Sequence, residues 1–336
     1  METATTIIPI ASGKGGVGKT LFAANLCIAL ARLGHDTVAV DMDFGGSNLY
    51  TCLGVPNKYP GIGEFLKTGK PAFQNLMVPT GIPNLRFIPG EGRTPFLANI
   101  SHEQRLVLVQ EIKKIKARYV VLDLGAGTTF STLNFFGMVA KGVMITTFET
   151  PAIMNFVMFL RNFIFRVISG VARKDKKCFD SVVSAFERSI TDASVTANTL
   201  ILEIEKHNRP LADLVRKTCA GYRPRIVFNM GDHPHELAIL DKLQSTLWQG
   251  LSMEADYFGF VFHDEAVRRS AKNREVLITR YPDSPASKGI ARIAQRVVRL
   301  WDEPSLEGRF DLMENTKLEF RHWKSASGPE TRGAGV

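Results

Sequence analysis

Three observations predict an α/β fold in three layers, with helices covering both faces of a mostly parallel central sheet. Seven short runs rich in Val, Ile and Leu recur along the chain, and helical periodicity fills most of the intervals between them. The first run passes through a glycine-rich loop directly into a helix. With 336 residues, 45% apolar and 22% charged, the chain can bury a sizeable core, and a fibrous or membrane-spanning class is excluded. Lys and Arg number 42 against 33 Asp and Glu, a net charge of +9. That excess points to anionic partners such as nucleotides, DNA or acidic lipid without choosing among them.

The elements follow in order. Thr5 to Ala11 is a β-branched apolar run ending at Ser12-Gly13, and after Lys19 the helical spacing of Phe22, Leu26, Leu30 and Leu33 begins, closed by Gly34. Thr37 to Val40 reads as a second buried strand, ending at Asp41 and Asp43. Leu85 to Ile88, Tyr119 to Leu122 (ending at Asp123), Gly142 to Thr147, Arg225 to Asn229 and Tyr257 to Phe262 complete the strands. Between Pro151 and Arg223 there is helical periodicity and no strand signal. The expected organisation is one domain over 1–303 with a helical insertion at about 151–223, a C-terminal helical segment at 304–323, and a disordered tail at 324–336. The fold is expected to end near Trp301.

Cys27, Cys52, Cys178 and Cys219 stand at neither metal-ligand nor redox spacing, which disfavours a disulfide framework and an iron–sulfur site. Residues 1–10 lack the features of a secretory signal, so a cytoplasmic location is expected. The apolar stretch Ile153 to Ile168 contains Arg161 and Arg166 and is too short and too charged to span a bilayer comfortably. Arg161, Arg166, Arg173, Lys174, Lys176 and Lys177 form the densest basic run, either a solvated face or a patch for DNA or acidic lipid. Docking on lipid would also need apolar contacts from Phe163 or Phe165.

Chemistry concentrates at Ser12 to Thr20, SGKGGVGKT, which satisfies the phosphate-loop pattern at Gly13, Gly18, Lys19 and Thr20. Backbone N–H groups of such a loop point at phosphates, and the following helix presents its positive end. The nucleotide-contacting stretch is Gly13, Lys14, Gly15, Gly16, Val17, Gly18, Lys19, Thr20 and Leu21. Within it Lys19 reaches the β- and γ-phosphates and Thr20 binds Mg²⁺. Asp123 closes the strand VVLDLGAG and suits a carboxylate holding Mg²⁺ through water, while Gly127 can offer its N–H to the γ-phosphate. Asp41 and Asp43, at i and i+2 on an extended segment, point the same way, toward the metal and an attacking water. The same pair would also serve as turn or capping aspartates.

GKGGVGKT with its additional Lys14, followed by DMDFGGSNL and DLGAG, resembles the deviant Walker A P-loop ATPases of the MinD/ParA group in the SIMIBI class. VFNM at 227–230, YFGFVFHDEAVRRS at 257–270 and YPDSPASKGIARIAQRV at 281–297 extend the resemblance, which is nearest to the MinD/FlhG branch. It implies a P-loop NTPase fold and a slow, Mg²⁺-dependent, partner-stimulated ATPase that dimerises with two ATP molecules between its subunits. Lys14 would cross the interface to the partner's phosphates, Asp43 would position water, Asp41 and Asp123 would attend the metal, and Asn229 would contact adenine. The catalytic set is then Lys14, Lys19 and Asp43, with Thr20, Asp41 and Asp123 at the metal. Two departures stand out. Gly125 occupies the position of the usual proline in Asp-x-Pro-Ala-Gly, and the first strand starts within ten residues, without the glutamine-containing helix by which FlhG stimulates its GTPase partner.

The expected function is that of a switch that positions a cellular structure, flagellar, divisional or polar. The alternative is a ParA-like partition ATPase on the nucleoid. Expected partners are a second copy in the ATP state, an activating protein effector, and an anionic membrane surface or nonspecific DNA, which would place the protein peripherally at the inner membrane or on the nucleoid. The candidate amphipathic helix for membrane attachment is Arg309 to Trp323, where Phe310, Met313, Phe320 and Trp323 can share a stripe with Lys317 at its middle; the other reading of so short a stripe is packing on the protein's own surface. A metal or cluster carrier is disfavoured by the missing Cys-x-x-Cys pair. A small-molecule synthetase on the same loop stays open, and turnover without any protein partner would favour it.

Overall fold

The computed structural model describes residues 4–90, 100–189, 195–302 and 309–326. Strand β1 (Thr6–Ser12) runs into helix α1 (Lys19–Arg32) and β2 (Thr37–Met42). Short helices α2 (Leu49–Cys52) and α3 (Ile62–Thr68) lead to β3 (Val78–Pro79) and β4 (Leu85–Ile88). Next come α4 (His102–Lys113), β5 (Tyr119–Leu124), α5 (Phe130–Phe136) and β6 (Val143–Thr146). Four helices follow without a strand: α6 (Thr150–Ala172), α7 (Lys176–Ser189), α8 (Ala197–Glu205) and α9 (Arg209–Ala220). The chain closes with β7 (Arg225–Gly231), α10 (Leu240–Leu251), β8 (Asp256–Phe262), α11 (Glu265–Asn273), α12 (Leu277–Arg280), α13 (Pro285–Leu300) and α14 (Arg309–Ala326).

The sheet order is β3-β4-β2-β5-β1-β6-β7-β8. Every neighbouring pair is parallel except β3 with β4. All seven expected strands are present. The eighth, β3, has two residues, too few for a periodic signal, and its Pro79 is tolerated because the strand lies at the edge. Each face of the sheet carries its own core. On one, Phe22, Leu26 and Leu30 of α1 meet Ile290, Ile293 and Val297 of α13 across Tyr119 and Val121. On the other, Phe156, Phe159, Leu160, Phe163 and Ile164 of α6 cover Val120, Leu122 and Phe228.

Helix α6 is, among the described residues, the one helix long and apolar enough to cross a membrane. Here its apolar side is core. Phe163 packs edge-on against Phe136 and Tyr222, with ring centroids 5.2 and 4.9 Å away. Phe163 and Phe165 are both buried, which removes them as lipid contacts. Residues 161 and 166 differ by five positions, about 140° around a helix, so the basic run does not form one surface. Arg161 lies over Phe165 and donates to the Val195 carbonyl, whereas Arg166 lies over Phe130 and donates to Asn134 Oδ1 at 2.9 Å.

The expectation that the fold ends near Trp301 is also corrected, because α14 returns to the sheet. Leu312 and Thr316 are buried, and the Phe320 ring lies 5.7 Å from Phe262 and 4.5 Å from His233. Of the expected stripe, Met313 and Phe320 pack on this core, while Trp323 remains 37% exposed. Phe310's side chain and the tail beyond residue 326 lie outside the described residues.

Phe163→Ala should lower folding stability by about 3–5 kcal/mol, the range for truncating a fully packed aromatic. Urea denaturation of the two proteins measures this, and a loss below about 1 kcal/mol would remove α6 from the core.

Candidate functional site

At the C-terminal ends of the parallel strands, the β1–α1 loop is shaped by contacts that glycine alone permits. Gly16 and Gly18 have φ of 84° and 82°, the left-handed region. A Cβ on Gly13 would stand 2.2 Å from the Asn155 carbonyl oxygen of α6, and one on Gly18 would stand 2.4 Å from Asn229 Nδ2. That Nδ2 donates to the Val17 carbonyl at 2.8 Å. The loop is thus held from behind by α6 and β7. In front it is open, since a Cβ on Gly15 or Gly16 would meet nothing within 4 Å. Helix α1 starts without a side-chain cap or an acidic residue in its first turn, so its first N–H groups remain available to an anion.

Three carboxylates face this loop. Asp41 and Asp123 are register partners on adjacent strands β2 and β5, and both are fully buried. Lys19 Nζ lies 2.5 Å from Asp123 Oδ1, while Asp123 Oδ2 is buried without a hydrogen-bond partner. Burial holds the Asp123 carboxyl above its usual range, opposed by Lys19 and Thr20. Asp41 is pushed up to about 7 by burial and by Asp123, against hydrogen bonds from Ser47 and the Asp43 and Leu49 N–H groups. Asp41 therefore caps the loop that follows it, with Ser47 Oγ donating at 2.5 Å and Leu49 N–H at 3.2 Å. Asp43 is less buried, and its Oδ1 accepts only the long 3.3 Å bond from Gly45 N–H among the described residues.

An orphaned carboxylate oxygen, two facing carboxylates with one ammonium between them, and an open loop of N–H groups fit a phosphate chain accompanied by a divalent cation. Gly127 and Asn229, expected at the terminal phosphate and the adenine, each have a partner within the chain. Gly127 N–H is not free, because it donates to the Ser12 carbonyl at 3.0 Å. Asn229 is engaged with the loop itself through its Nδ2 group. Lys14 is partly exposed beside the loop, and among the described residues its ammonium has neither a hydrogen bond nor an ion pair.

Sequence reasoning missed two further parts. Gly90 packs so tightly that a Cβ would lie 2.8 Å from the Asp41 carbonyl, with no signal beyond a glycine after a strand. A cleft of about 210 Å³ opens beside the loop, lined by Leu21, Asn229, Met230, Phe262, His263 and Arg268 among others. Its traces in the sequence are Leu21, VFNM at 227–230 and the run from 257 to 270.

Residues 8–278 match the family described as CobQ/CobB/MinD/ParA nucleotide binding domain. The antiactivator FleN of Pseudomonas aeruginosa is 24% identical over 294 residues, 87% of this chain and 85% of that protein. The septum site-determining protein MinD of a Synechocystis species is 36% identical over 151 residues, 44% of this chain and 56% of its own length. In structure, the septum site-determining protein MinD of Pyrococcus horikoshii complexed with Mg-ADP aligns with a TM-score of 0.58 at 18% identity. That alignment covers 88% of this chain and 97% of the other.

An upward carboxyl shift is a cost to folding that is absent below the unfolded pKa and grows as pH rises through the folded value. For Asp41 the cost accumulates between the ordinary carboxylate range and about pH 7. Without nucleotide or metal, the stability of Asp41→Asn relative to the unsubstituted protein should improve by roughly 2 kcal/mol between pH 5 and pH 8, at ~1.4 kcal/mol per pH unit. Denaturant titrations at the two pH values read this, and a pH-independent difference would show that Asp41 titrates as an ordinary carboxyl.

Proposed function

The chain belongs to the CobQ/CobB/MinD/ParA nucleotide-binding family, and from that premise we propose that it is an ATP-hydrolysing switch that dimerises with ATP and positions a cellular structure. Lys14 carries this reading. Within one chain Lys19 already supplies the cation that a phosphate loop requires, and it is buried against Asp123. A second ammonium, partly exposed and without an anionic partner among the described residues, is suited to phosphates held by another copy. The similarity to an antiactivator and to septum site-determining proteins supports a regulatory rather than a metabolic role.

In the proposed site, Thr20, Asp41 and Asp123 hold Mg²⁺, which neutralises phosphate charge when bound. Lys19 exchanges part of its contact with Asp123 for the β- and γ-phosphates. Gly127 N–H leaves the Ser12 carbonyl to meet the terminal phosphate, so nucleotide arrival pulls on the segment between β5 and α5. Asp43, the least encumbered of the three carboxylates, orients the attacking water and accepts its hydrogen bond. The cleft beside Leu21 and Asn229 takes the base. Slow turnover follows from a site whose groups are engaged with one another before the substrate arrives.

Asp43→Ala should bind Mg-ATP with near-normal affinity and lose at least tenfold in turnover; hydrolysis at the unsubstituted rate would remove Asp43 from its role. Lys14→Ala, made in the Asp43→Ala background, should shift the ATP-bound species from dimer toward monomer in light scattering. A protein that stays monomeric at micromolar concentration with ATP and an intact Lys14 would sink the switch. If that monomer also turned over ATP steadily without a protein partner, the small-molecule synthetase reading would take its place.

A further inference from the structure

Helix α5 leaves the segment that carries Gly125 and Gly127, and beside it lies a cleft of about 320 Å³ unrelated to the phosphate loop. Leu133 and Asn134 of α5 form one wall, Phe163, Val167 and Val171 of α6 form the floor, and Tyr222 closes the end. Two guanidinium groups rim it, those of Arg166 and Arg173. Arg166 is partly buried, held by Asn134 Oδ1 on one side and the Phe130 ring on the other. Its charged neighbours are themselves cations: burial lowers its pKa, and Arg105 and Arg173 lower it further. Among the described residues no carboxylate lies within salt-bridge range of Arg105, Arg166, Arg173, Lys174, Lys176 or Lys177.

Further details of the cleft define its ligand. The hydroxyls on its wall are already committed as donors, Ser169 to the Arg166 carbonyl, Thr218 to the Leu214 carbonyl and Tyr222 to the Gly137 carbonyl. The two guanidiniums and the Asn134 Nδ2 amide are thus the side-chain donors left for a guest, and the two fixed positive charges favour anionic acceptors. Phe130, the ring against which Arg166 lies, is 69% exposed, and Leu133, Phe163, Val167 and Val171 make part of the lining apolar, so the guest also carries an apolar group. Gly170 sits between the two arginines on the same helical face, at i+4 from Arg166 and three before Arg173. A Cβ there would meet nothing within 4 Å. Packing therefore gives no reason for a glycine in the last turn of α6, where alanine is the better helix former, whereas a side chain at this position would fill the space between the guanidiniums.

We infer that this cleft receives a short acidic segment of a partner protein, its carboxylates paired with Arg166 and Arg173 and one apolar side chain seated on Phe163 and Val167. Lys174, Lys176 and Lys177, exposed just before and at the start of α7, follow Arg173 in the chain and add positive charge for the flanking residues. A rigid duplex cannot enter a concave site of this size, and a flat lipid surface would leave its floor empty. Because Asn134, which holds Arg166, and Phe130, which lies beneath it, both belong to α5, occupancy bears on the segment from Gly125 to Thr129. This second half of the inference rests on the switch reading proposed above, and the binding itself does not.

A fluorescein-labelled ten-residue peptide of glutamates with one central phenylalanine tests the site by fluorescence anisotropy on the full chain without nucleotide. The peptide should bind, and Arg166→Gln and Arg173→Gln should each weaken it tenfold or more. Gly170→Leu, which changes no charge and occupies open space, should weaken it at least fivefold while leaving the melting temperature unreduced. Equal binding by the unsubstituted protein and Gly170→Leu would overturn the cleft, since a merely cationic surface would be indifferent to that leucine. Preferential displacement of the peptide by duplex DNA or by inorganic phosphate would overturn it in favour of those ligands. Saturating peptide should change Mg-ATP turnover at least twofold in the unsubstituted protein and not in Arg173→Gln; an unchanged rate would overturn the coupling to α5. If no turnover exists at all, the switch reading fails and the anisotropy result still decides the cleft.

Discussion

Two carboxylates buried side by side at the ends of β2 and β5, with one ammonium to serve them, are the constraint around which the rest of the site is arranged. In a parallel sheet covered on both faces, water cannot solvate Asp41 and Asp123, and their register pairing holds them next to each other. Lys19 satisfies one oxygen of Asp123, and loop N–H groups with Ser47 satisfy Asp41. The remaining oxygen of Asp123 is buried without a hydrogen-bond partner among the described residues. A structure that retains such an arrangement gives up stability to hold charge in a dry place, where Coulombic attraction to an incoming cation is least screened.

The phosphate loop is tied to distant parts of the chain by contacts that leave little slack. Gly13 touches the backbone of α6, Asn229 of β7 holds the Val17 carbonyl, and Gly127 from the end of β5 holds the Ser12 carbonyl. Helix α6, strand β7 and the end of β5, which already share one core, therefore also meet at this loop. Any ligand that competes for these donors displaces an element rather than a side chain. The path to α6 matters because that helix continues from the loop to Arg166 and Arg173, the rim of the second cleft.

Legibility in the sequence followed the range of the interactions. Strands β1, β2 and β4 to β8 were legible because burial on both faces writes a continuous apolar run. The loop was legible because its glycines and Lys19 are fixed by local geometry. What lay hidden was set by contacts across the chain. Gly90 is needed only because Asp41 passes close by, and Arg225, fully buried between Phe258 and Trp301 while donating to the Leu300 and Trp301 carbonyls, looked like an ordinary strand residue. Helix α14 misled for a related reason. Its buried side includes Thr316, whose hydroxyl is satisfied by the Leu312 carbonyl, so a polar letter concealed a packed position. The basic run, open in the sequence between a solvated face and a patch, is divided in the structure, where the helix sends Arg161 and Arg166 to different neighbours.

Gly125 joins these observations. By the resemblance drawn from the sequence it stands where a proline is usual, and a Cβ there would lie 3.4 Å from Asp43 Oδ1, an ordinary contact, so space alone does not demand glycine. Its effect is then entropic: a glycine in place of a proline leaves the segment from β5 to α5 with more conformations to lose when it closes over a phosphate. On the proposed reading, that cost falls on the step in which Gly127 exchanges the Ser12 carbonyl for the nucleotide and Asp43 settles its water. A guest between α5 and α6 that fixes Phe130 and Asn134 would meet part of the cost in advance. On the same proposed reading, a loosened segment beside a cationic cleft is a coherent pair, in which flexibility at Gly125 would keep the isolated protein slow and leave room for a partner to act.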